Sequence, residues 1–91
     1  MNRAAEDGRA AEFLDSVKAT LLERAGTYPP YSEEAEKVAR IWNALKPGAG
    51  MSREDVALFM AVVKLVRASA GNSPDSWTDL VGYAARVRGM E

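Results

Sequence analysis

Lys64 and Arg67 stand three residues apart in the most apolar stretch of the chain, which runs from Val56 to Ala68. On a helix, residues at that spacing project from neighbouring parts of one surface. A planar guanidinium beside a compact ammonium suits a phosphate group. Ala57, Ala61 and Ala68 flank the pair and leave room for a ligand to approach. The competing reading pairs the two cations with Asp75, Asp79 or Glu34, which closes the polar side of a helical assembly. Long cationic side chains also reach solvent along their own stems.

A second group of chemistry-bearing residues lies between Arg24 and Tyr31. It brings one cation, Tyr28 and Tyr31 together with Pro29 and Pro30. Rigid aromatic faces stack nucleobases, and an arginine contacts either a phosphate or a base plane. The alternative is that both tyrosines only pack the loop onto its helices. With Asp79 and Tyr83 from the last helix, the candidate ligand-binding set is Arg24, Tyr28, Tyr31, Lys64, Arg67, Asp79 and Tyr83. No residue takes a catalytic role in this reading.

The carboxylates fall into two groups. Glu33, Glu34 and Glu36 open one helix, and Asp75 and Asp79 lie one turn apart near the start of another. Carboxylates converging from two helices bind magnesium. Glu33 and Glu34 also suit a helix N-terminus without any metal, so Glu33, Glu34, Glu36, Asp75 and Asp79 form only an alternative metal set.

Composition removes several function classes. The chain has neither cysteine nor histidine. Disulfides, thiolate nucleophiles and imidazole acid–base catalysis are therefore absent, and zinc would need carboxylates alone. Twelve basic and thirteen acidic residues give a net charge of −1, which argues against broad attraction to a nucleic-acid polymer. The first residues are charged and Ala-rich, unlike a signal peptide. The run Val56–Val66 is too short for a bilayer and contains Lys64. The expectation is a cytoplasmic protein with no membrane partner.

These residues must be positioned by helices, since no segment reads as a strand. Residues 1–8 are expected to fray, and a single helical domain is expected over 9–91. Helical periodicity groups Phe13, Leu14, Val17, Leu21 and Leu22 on a first helix from about Arg9 to Ala25, with Gly26 as its stop. Ser32 is the expected cap of the second, whose stripe is Val38, Ile41, Trp42 and Leu45. Ser52 and Asp55 form a capping-box pattern for the third. Its apolar arc of Val56, Leu58, Phe59, Val62, Val63, Leu65 and Val66 is expected to build the core, with Ala57, Ala61, Lys64 and Ala68 opposite. Gly71 and Asn72 end it. Ser73 and Pro74 are expected to start the fourth, with Trp77, Leu80, Val81, Ala84 and Val87 inward, and Asp75, Asp79, Gly82 and Arg86 on the other face. Both tryptophans are expected in the core. The fold class is all-α, a compact four-helix assembly. Ninety-one residues provide a thin core for a monomer, which points to a homo-oligomer.

Arg24 with Tyr28, Ala39-Arg40-Ile41-Trp42, Glu54-Asp55-Val56-Ala57-Leu58, Met60, Lys64, Arg67 and the run from Asp75 to Ala84 together resemble a family of small phage and prophage proteins of unknown function. The resemblance covers about two thirds of the chain. It departs at Pro29, where relatives carry glycine after the tyrosine. The helical layout also resembles, more remotely, the MazG-like all-α nucleotide pyrophosphohydrolases. That resemblance implies magnesium held by a Glu-Glu-x-x-Glu set and a Glu-x-x-Asp set. Here Lys37 occupies the third position of the first set, and Asp75 and Asp79 are spaced by four.

The leading expectation is a non-enzymatic binder of a nucleotide or nucleotide-derived signal, of the kind a phage uses to sequester a host defence messenger. The alternative is a magnesium-dependent nucleoside triphosphate pyrophosphohydrolase. A third reading is a protein-interaction module without a small ligand.

Overall fold

The computed structural model describes residues 2–71 and 73–91. Four helices follow in order: α1 (Arg3–Thr27), α2 (Tyr31–Leu45), α3 (Arg53–Ala70) and α4 (Ser76–Gly89). There is no strand among the described residues. The all-α, four-helix expectation holds.

Helix boundaries depart from expectation where local chemistry is stronger than the apparent breakers. α1 starts at Arg3, so residues 3–8, expected outside it, belong to the helix. The Asn2 side chain accepts from the Ala5 backbone N–H at 2.9 Å, and Arg3 pairs with Asp7 across one turn. Those contacts and the alanines carry the helix through Gly8. α1 also passes Gly26 and stops at Thr27, because Pro29 forces Tyr28 into an extended conformation. Pro30, not Ser32, occupies the cap position of α2, where no side chain bonds the first turn.

At α3 the expected capping box is present. Asp55 N–H donates to Ser52 Oγ at 3.1 Å, and Ser52 N–H donates to Asp55 Oδ2 at 2.9 Å. Gly71 ends the helix in the left-handed region at φ 73°, which is where glycine is needed. The other expected stop residue, Asn72, lies outside the described residues. α4 begins at Ser76, with Ser73-Pro74-Asp75 forming the turn before it. The α2–α3 connection is held by Asn43, whose amide donates to the Met51 carbonyl at 2.9 Å and accepts from the Met51 N–H at 2.8 Å.

Packing reverses the expected faces of α2 and α3. α3 and α4 form the most intimate pair, α2 lies against α3, and α1 lies against α4. The buried positions of α3 are Val56, Ala57, Ala61 and Ala68, so the alanine face points inward. Leu58, Phe59, Val62, Leu65 and Val66 are exposed. On α2, Ala35 and Ala39 are buried while Val38, Ile41, Trp42 and Leu45 are exposed. On α4 both faces are partly covered: Leu80, Val81 and Val87 are half-buried as expected, Gly82 is buried and Asp79 and Arg86 are half-buried, while Trp77 and Ala84 are exposed. Neither tryptophan sits in a core within this chain.

The physical reason is separation. Small side chains let two helix axes approach closely and bring the longest run of backbone into contact. Val17 from α1 and a cluster of Ala35, Ala39 and Val56 complete the interior. The shape is correspondingly extended, not compact. The radius of gyration is 15.4 Å, against about 12 Å for a closed domain of this length. The first half of α1 contributes to this extension. Residues 3–12 are all exposed, and α1 first meets the body at Phe13 and Val17.

Candidate functional site

An open cavity of about 830 Å³ lies where the end of α1, the Tyr28–Pro30 link, the start of α2 and α4 converge. Its position follows from the local sequence. The two prolines turn the chain within three residues, so Arg24 of α1 and Tyr28 of the link face Tyr31 and Glu34 from α2. Tyr83 and Arg86 enter from α4, three residues apart and hence on one face.

The aromatic geometry is ordered around Arg86. Tyr31 and Tyr83 meet edge to face with centroids 5.5 Å apart. The Arg86 guanidinium carbon lies 5.3 Å from the Tyr31 ring centre and 5.2 Å from that of Tyr83. A cation within about 6 Å of a ring face is attracted by its quadrupole. Burial pushes the Tyr31 phenol up to about 12; neighbouring Tyr83 and Glu34 add to the rise, and Arg86 opposes it. Tyr31 therefore remains a neutral hydroxyl at physiological pH, able to donate a hydrogen bond. Two guanidinium groups, Arg24 and Arg86, and one carboxylate, Glu34, line the cavity.

Beside the cavity lies an ionic network that ties three helices together. Lys64 of α3 places Nζ 3.0 Å from Asp79 Oδ2 of α4, and Arg24 of α1 places Nη2 3.8 Å from Asp79 Oδ1. A narrow cleft with room for about one water runs along Leu21, Arg24, Asp79, Gly82 and Arg86. Gly82 makes this approach comfortable but does not demand it. A Cβ there would sit 3.8 Å from Arg86 Nη1 and 3.9 Å from Leu21 Cδ2.

Of the expected ligand-binding residues, Arg24, Tyr28, Tyr31 and Tyr83 line the cavity. Lys64 and Asp79 sit next to it and engage each other. Arg67 lies elsewhere, exposed on the outer side of α3. The anticipated Lys64–Arg67 clamp is thus split, because the alanine face that carries Lys64 is the one α4 covers. The competing reading, in which Asp79 partners Lys64, describes the contact made.

The alternative magnesium set is not gathered either. Glu34 lines the cavity, Glu36 pairs with Arg40 at 3.6 Å, and Glu33 and Asp75 are exposed. Among the described residues no three acidic side chains come within reach of one ion. Arg86 is the cavity residue that sequence reasoning left out of the ligand-binding set, placing it only on the α4 face opposite the apolar stripe. Its position three residues after Tyr83 was the available signal.

No helix among the described residues is long and apolar enough to cross a membrane. Among proteins of known sequence, the chain is 34% identical over 70 residues to the Gene 55 protein of Mycobacterium phage L5. That match covers 76% of this chain and 45% of the phage protein, so the chain spans about half the length of the relative it matches. The phage-type resemblance is carried by that similarity. No solved structure matches. Residues 12–91 match a family described only as a domain of unknown function, DUF6378, and the chain belongs to that family.

Proposed function

We propose that the protein is a non-enzymatic binder of a nucleotide or nucleotide-derived signalling molecule, held in the cavity between α1, α2 and α4. The observation that carries this reading is the convergence of Arg24 and Arg86 with Tyr28, Tyr31 and Tyr83 on one open cavity. The guanidinium groups receive phosphate oxygens, and the exposed Tyr28 stacks on the base. The neutral Tyr31 hydroxyl supplies a directional donor. Lys64 has a supporting role, holding Asp79 in place beside Arg24. The similarity to a phage product favours a setting in which the protein sequesters a host defence messenger in the host cytoplasm, working as a homo-oligomer.

Calorimetry against a panel of cyclic and linear nucleotides tests this. Binding by the wild type that weakens at least about tenfold in Arg86→Ala supports it. Absence of binding across the panel rejects it. The MazG-like pyrophosphohydrolase alternative rests on Glu34 being the one member of the carboxylate set in the cavity. Pyrophosphate release from nucleoside triphosphates with magnesium would favour that reading.

A further inference from the structure

We propose that two copies of this chain pair through the exposed apolar stripe of α3, antiparallel about a two-fold axis that passes beside Val62. The stripe consists of Leu58, Phe59, Val62, Leu65 and Val66, each 44% to 64% exposed. Their spacing of three and four places them on one side of the helix. The only charge in that span, Lys64, points the other way, into Asp79.

The surface area shows how much is left to cover. A folded monomer of 9.9 kDa exposes about 5,200 Å² by the size scaling of compact proteins. This chain exposes 6660 Å². The excess is roughly 1,500 Å² per copy, or about 3,000 Å² for a pair, in the range of obligate homodimers. If half of that belongs to the protruding start of α1, about 750 Å² per copy is left, close to a standard-size interface. The stripe itself is wholly apolar, and soluble monomers rarely leave large contiguous apolar patches uncovered.

A second copy fits better than another occupant because the stripe complements itself. Its five residues are centred on Val62, so a two-fold axis there sets Leu58 against Val66 of the partner subunit and Val62 against Val62 of the partner subunit. The antiparallel direction also opposes the two helix dipoles favourably. Ile41 and Leu45 of α2 are exposed as well. No stripe residue lines the cavity, so pairing and ligand binding are separable.

Light scattering coupled to size exclusion, at micromolar concentration, should give twice the 9.9 kDa chain mass, and Val62→Arg should halve it. Should Val62→Arg fail to fold, cysteine pairing gives an independent readout, because the natural chain has no cysteine. At a helix separation of 8–10 Å, α-carbons facing each other on the axis fall within disulfide range. Val62→Cys treated with oxidised glutathione should therefore run as a covalent dimer on a denaturing gel. Leu58→Cys alone should not, while Leu58→Cys with Val66→Cys should. A wild type that stays monomeric overturns the proposal. So does a dimer that Val62→Cys fails to link while Leu45→Cys links readily.

Discussion

Lys64 and Asp79 meet at 3.0 Å, with each side chain only 17% exposed. This contact joins the two helices that pack most closely and lies between the alanine face of α3 and the buried Gly82 of α4. Removing the carboxylate leaves an ammonium largely out of water. Asp79→Ala is therefore expected to destabilise the fold by about 1–3 kcal/mol, the cost of an unpaired, mostly buried polar group. Replacing both partners, Lys64→Met with Asp79→Leu, should recover most of that loss. Arg24→Ala removes a longer, half-exposed pair and should cost under about 1 kcal/mol. Urea unfolding of the four proteins provides the comparison.

Ser76 is fully buried at the start of α4, and its hydroxyl has no hydrogen-bond partner among the described residues. Ser76→Ala removes that unpaired group and should stabilise by about 1 kcal/mol. Gly82→Ala should also stabilise, by about 0.5–1 kcal/mol, since a Cβ meets its neighbours at ordinary contact distance. A fall in midpoint denaturant for either variant would contradict the packing described at α4.

Tyr31 should leave a mark on alkaline stability. Its hydroxyl is held to about 12 in the folded chain against 10.0 ordinarily. Between those values the unfolded chain loses its proton first, so stability is complete below pH 10 and declines as pH rises towards 12. Thermal melts across that window should show the decline, and Tyr31→Phe should flatten it.

Arg86 should matter by shape as well as charge. Its guanidinium faces two rings at once, and each contact contributes about 0.5–1 kcal/mol. Arg86→Lys keeps the charge but not the planar stacking, and should weaken nucleotide binding nearly as much as Arg86→Ala. Tyr28, exposed at the rim, makes the complementary case. Tyr28→Ala should lower affinity by the roughly 1–3 kcal/mol of one base–aromatic stack and leave the melting temperature unchanged.

The helices were legible because their punctuation is local. Ser52 and Asp55 reach only each other's backbone, and Pro29 acts on Tyr28 alone. Which face of α2 and α3 turns inward was not legible. Periodicity identifies an apolar arc but not what covers it, and on α3 the Leu58–Val66 arc is larger than the partners available within one chain. The alanines pack against α4 instead, and this sends Lys64 inward while Arg67 stays out. The cavity was half legible. Arg24, Tyr28 and Tyr31 sit near one another in sequence, whereas Arg86 joins them only through the α1–α4 packing.

The protruding start of α1 has a dynamic consequence. A helix gripped at one end frays from the other, and its amide protons report this as a gradient. Exchange with deuterated solvent should sweep through residues 3–12 in the earliest time points and slow sharply from Val17 onward, where α1 meets α4. Arg24 and Tyr28 lie on the slow side of that boundary. The free end is thus mechanically uncoupled from the cavity, a trailing rod whose motion does not blur the groups that face the ligand.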